Sequence, residues 1–156
     1  MSGPLFFPMF VDLSMKRALV VGAGRIAARR AGVLMDFCGE VVVVGPKVHP
    51  DLESLAGSGR VTLHRRAFEP GDLEGAGLVV AATNDAALNA HIAEMCRARG
   101  VPVNVASDRA LCDFYFPGVV IDGEAVIGVT AGGGDHRRAK ALTDLVRRCV
   151  AEDKSE

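Results

Sequence analysis

Tryptophan is absent from this 156-residue chain, and aromatic residues make up only 5% of it. No platform for stacking nucleic-acid bases is expected from so few rings. Neither sign of charge is in excess: 18 Lys and Arg stand against 19 Asp and Glu, a formal net charge of −1. That balance gives neither nucleic acid nor an anionic membrane an electrostatic reason to bind. Paired cysteine spacings are also missing. Cys38, Cys96, Cys112 and Cys149 are scattered and form no CxxC, which argues against a metal site or a disulfide framework and for small hydrophobes in a reducing compartment. His49, His64, His91 and His136 form no HExxH-type pattern. The apolar run Leu5–Val11 is short, contains Pro8 and follows no basic residue, so it is neither a bilayer span nor a good signal-peptide core. A cytoplasmic, soluble protein without a metal is the expectation.

What is present is a hydrophobic content of 49%, enough for one ordinary domain and a small appendage. Ala18–Val21 reads as a buried parallel strand, followed by a glycine turn and a helix over Ile26–Phe37, with Ile26, Val33, Leu34 and Phe37 for an inward face and Gly39 as terminator. Val41–Val44 is a second buried strand, so strand, turn, helix and strand fit one βαβ unit. The pattern continues with a short helix at Pro50–Leu55, a strand at Val61–His64 and a connection opened by Gly71-Asp72-Leu73. A fourth strand at Leu78–Ala82, a helix over Ala86–Arg99 stopped by Gly100, and a fifth strand at Val101–Val105 follow. Alternating strands and helices predict a Rossmann-like, doubly wound parallel α/β sheet over residues 1–112. Residues 113–156 break the rhythm. Phe114–Ile121 and Glu124–Thr130 read as a hairpin turning at Asp122-Gly123, and a last helix runs from His136 to about Glu152, with Asp135 as N-cap. Its apolar face is Ala139, Leu142, Leu145 and Val146. A hairpin and one helix form little core, so this segment is expected to pack against a second copy, as a dimerisation arm.

The turn Gly22-Ala23-Gly24-Arg25-Ile26-Ala27 is a GxGxxA form of the dinucleotide fingerprint. Gly22 permits the tight turn, Gly24 lets the pyrophosphate approach the backbone, and Ala27 allows close helix–strand packing. The motif follows a strand and opens a helix, as its chemistry requires. No carboxylate ends the second strand; Val44-Gly45-Pro46-Lys47-Val48 stands there instead. Lys47 suits a 2′-phosphate, or Gly45-Pro46-Lys47 contacts the ribose through its backbone, or Lys47 is a solvated loop lysine, so NAD and NADP both stay open. Thr83 and Asn84, at the carboxyl end of the fourth strand, either bind the cofactor or cap the next helix. At the end of the fifth strand Ser107 is placed to orient substrate and Asp108 to act as general base, or the two simply form a turn.

These residues resemble the precorrin-2 dehydrogenases, NAD-dependent enzymes of siroheme and cobalamin synthesis, whose module also forms the N-terminal part of siroheme synthases. The matching stretches are Pro4–Leu13, Ala18–Arg30, Gly71-Asp72-Leu73, Leu78–Asp85, Val103-Asn104-Val105 and Phe114–Pro117, in order over nearly the whole chain. The resemblance implies hydride transfer from precorrin-2 to NAD⁺, giving sirohydrochlorin, in a homodimer formed through the hairpin segment. It also implies cofactor contacts at Arg25, Ile26, Lys47 and Val48. Two departures stand out. The position where the family tends to carry a functional Asp is Ser107, with Asp108 next, and the family's Ser-Pro helix start is Asp135-His136. Arg109, His136, Arg137 and Arg138 are candidate partners for the substrate's carboxylates, the two helix arginines being equally suited to a solvated face. The chain ends at Glu156, without the further helical region of bifunctional members. Metal chelation is therefore not expected, and the chain is either a minimal dehydrogenase or a piece of a longer one. The alternatives are a nucleotide-binding regulatory module, like the ligand-sensing domains of potassium transport systems, and a degenerate member that binds cofactor or tetrapyrrole without turnover.

Overall fold

The computed structural model describes residues 5–132 and 134–153. Pro4 of the first matching stretch and Gly133 of the glycine-rich turn lie outside the described residues. The described residues divide into two compact units, Val11–Phe114 and a second made of Leu5–Phe10 with the described residues from Tyr115 to Asp153. Leu5–Phe10 therefore group with the C-terminal segment and not with the sheet. Within that second unit the Phe6 and Tyr115 rings meet edge-on, with centroids 4.5 Å apart.

The larger unit is a five-stranded parallel sheet in the order β3-β2-β1-β4-β5. The strands are β1 (Arg17–Val21), β2 (Glu40–Val44), β3 (Thr62–His64), β4 (Ala76–Ala81) and β5 (Val103–Val105), joined by α1 (Arg25–Leu34), α2 (Pro50–Gly57), a 3-10 turn at Pro70–Leu73 and α3 (Ala86–Ala98). The predicted Rossmann-like fold is what forms. The valine runs read as strands because both faces of a parallel sheet are covered, and Ala18–Val21 and Val41–Val44 are indeed buried end to end. From β1 the chain winds one way through β2 and β3, then crosses back to β4 on the other side. The carboxyl ends of β1 and β4 thus form the switch point, where a crevice opens.

Several boundaries shift for identifiable reasons. Helix α1 stops at Leu34, and Phe37 lies in the turn beyond it, where its N–H bonds the Leu34 carbonyl. The buried face of α1 is Ala27, Ala28, Ala31 and Leu34, whereas Ile26, expected to face inward, is 55% exposed. Alanines let the helix lie close on the sheet, and Ile26 is left at its rim. Gly39 is not a helix terminator: a Cβ there would sit 2.5 Å from the Ser14 carbonyl oxygen, so it is glycine for close packing. Strand β5 starts two residues later than expected, at Val103, because Pro102 has no N–H to give the ladder; its carbonyl still accepts from Val79. The outer edge of β5 is covered by Cys112–Phe114. Asp113 N–H donates to the Val103 carbonyl at 2.8 Å, and the Asn104 amide donates to Phe114 O at 2.8 Å.

The second unit holds the antiparallel pair β6 (Gly118–Asp122) and β7 (Ala125–Val129) and the helix α4 (His136–Asp153). The hairpin turns on Gly123 and Glu124, with Gly123 at φ +58° and no positive φ at Glu124. Glycine at the first central position fits the II′ class, whose twist matches the strands. Asp135 caps α4 as expected, its Oδ1 accepting from Arg138 N–H at 2.9 Å. Thr143, buried on α4, lies over Gly118 so closely that a Cβ at Gly118 would meet its hydroxyl. Among the described residues of this unit Val120 is the buried hydrophobe, while Leu5, Phe7, Met9, Phe10, Ile121 and Leu145 are exposed. No helix among the described residues is long and apolar enough to cross a membrane.

Candidate functional site

Two adjoining clefts open at the switch point of the sheet, of about 400 Å³ and about 300 Å³, sharing Ala82, Thr83 and Asn84 as a common wall. The larger is floored by the glycine turn and bounded by Gly45-Pro46-Lys47, Ala67 and Phe68; the smaller runs past Ile26 to Ala106 and Ser107.

Backbone geometry builds the floor. Gly22 leaves β1 at φ +103°, and a Cβ on it would lie 2.4 Å from the carbonyl oxygen of Ala82, the residue just past the end of β4. Its N–H bonds Val44 O at 2.8 Å, so the turn is tied to β2 as well. Gly45, read from sequence only as a backbone contact to the ribose, is required for the same reason: a Cβ there would fall 2.6 Å from the Ala23 Cβ. His49 N–H then bonds Ala23 O at 2.8 Å, closing the loop over the turn. Gly24 is different. It is the N-cap of α1 in extended conformation, and a Cβ on it would meet nothing within 4 Å.

That gap sits at a helix end built for an anion. Gly24 offers no side-chain cap, and the first turn of α1 holds no acid. The first bond into the helix comes from Ala28 N–H to Gly24 O, so the N–H groups of Arg25, Ile26 and Ala27 lack helical acceptors. Donors, dipole and a space that only glycine leaves empty fit a dinucleotide pyrophosphate. Gly22, Gly24, Arg25, Ile26 and Ala27 would hold it, and Lys47 stands exposed on the wall of the larger cleft. Val48 follows Lys47, half-buried, and lines neither cleft.

The central wall is set by Asn89, on α3 and only 1% exposed. Its Oδ1 accepts from Thr83 N–H at 3.2 Å and from the Thr83 hydroxyl at 2.7 Å. Its Nδ2 donates to Thr83 O and to Ser107 Oγ, each at 3.1 Å. The Thr83 hydroxyl has two acceptors in reach, Asn89 Oδ1 at 2.7 Å and Asp85 O at 3.1 Å; the shorter bond takes its proton inward, and its oxygen accepts from Asp85 N–H at 3.1 Å. The helix cap is neither Thr83 nor Asn84 but Asp85, whose Oδ1 accepts from Leu88 N–H at 3.0 Å; Asn84 remains exposed in both clefts. Asn89 was missed from sequence, although it shares helical spacing with the buried Ile92, Ala93 and Cys96. A polar residue on an apolar stripe was the available signal.

At the substrate end the structure separates two neighbours. Ser107 lines the cleft, but Asp108 does not: its carboxylate accepts from Ala110 N–H at 2.9 Å and starts the 3-10 turn Arg109–Leu111. The general-base role expected of Asp108 is not brought to the cleft wall, where Asp85 is the one carboxylate lining either cleft among the described residues. Arg109 is exposed in that turn, while His136, Arg137 and Arg138 open α4 in the other unit. Among the described residues no three His, Cys, Asp or Glu side chains gather as metal ligands. Burial pushes the Cys96 thiol up to about 11 and raises those of Cys38 and Cys112, as suits apolar filling and not nucleophiles.

A glycine turn on an uncapped helix end, at the switch point of a parallel sheet, defines a dinucleotide-binding α/β domain. The family model described as "Putative NAD(P)-binding" matches residues 9–118, and the chain belongs to that family. It is similar to the siroheme synthases of Pseudomonas paraeruginosa, 39% identical over 142 residues, and Methylococcus capsulatus, 34% identical over 145 residues. These alignments take in 91% and 93% of the chain but 30% and 31% of the relatives, so the chain spans about a third of the length of the synthases it matches. Among solved structures, "SirC, precorrin-2 dehydrogenase" superposes with a TM-score of 0.73 at 24% identity, over 90% of this chain and 69% of that one. The resemblance noted in the sequence is thereby borne out, and with it the fold.

Proposed function

We propose that the chain is an NAD-dependent dehydrogenase module that oxidises precorrin-2 to sirohydrochlorin in siroheme or cobalamin synthesis, acting as a homodimer. The observation that carries the reading is the continuity of the two clefts, which run from the pyrophosphate cradle at Gly24 past Thr83 and Asn84 to Ser107. A dinucleotide bound there supplies a two-electron hydride acceptor. Residues of this chain do the rest. The α1 N-terminus and Gly24 would fix the diphosphate, the Gly45–Lys47 corner would border the adenosine ribose, and the rim at Ile26 and Ser107 would border the reacting face. The oxidation would release one hydride to the dinucleotide and one proton to water through the open cleft, a balance that requires no carboxylate on the wall. The exposed apolar residues of the second unit, Phe7, Ile121 and Leu145 among them, supply the surface for a second copy.

The test is anaerobic incubation of the protein with NAD⁺ and precorrin-2, which should yield NADH absorbance and the sirohydrochlorin spectrum together. Intact NADH binding without turnover at high protein concentration would refute the dehydrogenase reading. That outcome would favour the second reading, a member that binds without turnover. The capping role of Asp108 and the hydroxyl at Ser107 are the observations on its side.

A further inference from the structure

The geometry points to Asn89 as a positioning residue that presents the Ser107 hydroxyl to the cleft as a hydrogen-bond donor, for an acceptor oxygen of the bound reactants. The inference rests on the dehydrogenase reading and deepens it. The first step is the orientation of the amide. Thr83 N–H can only donate and Thr83 O can only accept, and Asn89 bonds both, at 3.2 and 3.1 Å. The oxygen of the amide must therefore face the N–H and its nitrogen the carbonyl. With that orientation locked, the second hydrogen of Nδ2 goes to Ser107 Oγ at 3.1 Å, and the serine oxygen is the acceptor. Ser107 has no other hydrogen bond among the described residues, so its own proton is unspent, and the residue lines the cleft. Thr83 shows the opposite polarity, because its proton is taken by Asn89 Oδ1 at 2.7 Å. One buried amide thus makes Thr83 inward-facing and Ser107 a donor. It does so across 18 residues of sequence, holding the end of β4 to the end of β5. An oxygen acceptor suits that donor in two places, the carboxamide of the nicotinamide or a carboxylate of the tetrapyrrole.

Asn89→Asp, Ser107→Ala and their double variant separate the possibilities. The Asp side chain keeps the shape of Asn89 but removes the donor, so Ser107 turns its proton inward. NADH affinity is read by fluorescence titration and precorrin-2 by anaerobic spectral titration and by kcat and KM. Each single variant is expected to weaken one ligand by about tenfold, and the double variant no further than either single. A loss in NADH affinity assigns the acceptor to the cofactor. A rise confined to precorrin-2 Kd or KM assigns it to the substrate. Should the buried charge of Asn89→Asp prevent folding, Ser107→Val and Ser107→Thr decide instead. Val is expected to show the tenfold loss, and Thr, which keeps the hydroxyl, to recover most of it. Multiplying losses in the double variant, or equal behaviour of Val and Thr, overturns the inference. If the wild type binds both ligands without turnover, the dehydrogenase reading fails, and the two binding titrations still decide the role of Asn89.

Discussion

Alanine at Gly22 and alanine at Gly24 are expected to do opposite damage, though the two positions are two residues apart in one turn. At Gly22 the added methyl would lie 2.4 Å from the Ala82 carbonyl oxygen, and the backbone is at φ +103°. Holding a non-glycine residue in that region costs about 1–3 kcal/mol, and overpacking against backbone costs about 1–3 kcal/mol more. The sum, about 2–6 kcal/mol, is a large share of ordinary domain stability and corresponds to a drop in Tm of roughly 5–20 °C. At Gly24 the methyl enters open space from an extended backbone that alanine adopts freely. Folding stability should move by less than about 1 kcal/mol, the alanine being only a slightly poorer N-cap. The methyl does occupy the approach of the pyrophosphate, so NADH affinity should fall at least tenfold, roughly 1.4 kcal/mol. Urea unfolding and NADH fluorescence titration on the two variants provide the check. If Gly24→Ala binds NADH as tightly as the wild type, the anion is not held at the α1 N-terminus and the cofactor argument collapses. If Gly22→Ala is as stable as the wild type, the close passage of the turn beneath β4 is wrong.

Lys47→Glu puts a carboxylate where the second strand lacks one, and should lower affinity for NADPH more than for NADH, by about threefold to tenfold in their ratio. Equal losses on the two would make Lys47 a solvated loop residue. Asp72 accepts two bonds from Arg66 and one from Glu69 N–H, and the Arg66 guanidinium is the main cause holding its carboxyl below the usual range. A depressed carboxyl stabilises the fold above its unfolded pKa, near 4, and the contribution is lost as pH falls through the lower folded value. The stability gap between wild type and Asp72→Asn should therefore be open at pH 6 and shrink towards pH 3 in urea titrations; a pH-independent gap would contradict the pairing. Wild type is expected to sediment as the proposed dimer, and Leu145→Asp, at a side chain 47% exposed on α4, to sediment as a monomer with little change in NADH affinity. A dimer that survives the substitution would place the interface elsewhere, and a monomeric wild type would refute the dimer.

The strands of the sheet were legible because a buried parallel strand needs apolar residues on both faces, and Val41–Val44 and Leu78–Ala81 meet that need in uninterrupted runs. The glycine turn was legible because its requirements are local: a tight turn, an open helix end and a small residue on the strand. Gly39 and Gly45 were not legible in the same way. What forbids a side chain at Gly39 is Ser14, and at Gly45 it is Ala23, both about 20 or more residues back along the chain. A window of sequence shows the glycine but never its neighbour. Ile26 was misplaced for a related reason, since helical periodicity gives a stripe but not which edge of it meets the sheet, and the alanines took that place.

Ser107 and Asp108 make the sharper case. Side by side at a strand end, they offered a hydroxyl and a carboxylate to the same crevice, and chemistry favoured the carboxylate. The backbone decided otherwise. An Asp two residues ahead of an available N–H closes on it locally, as Asp108 does on Ala110, at little entropic cost. Ser107, one position earlier, is fixed by a partner far away in sequence, the Asn89 amide. A short-range bond thus removes the stronger acid from the cleft, and a long-range one keeps the weaker group in it. The dehydrogenase reading then asks this site for hydrogen-bond donation and orientation more than for a base. A hydride acceptor held against the same Ile26–Ser107 rim would make that sufficient, with the proton leaving to water. Turnover of precorrin-2 that persists in Asp108→Asn and falls in Ser107→Ala is the pattern this division of roles demands, and the reverse pattern would return the carboxylate to the reaction.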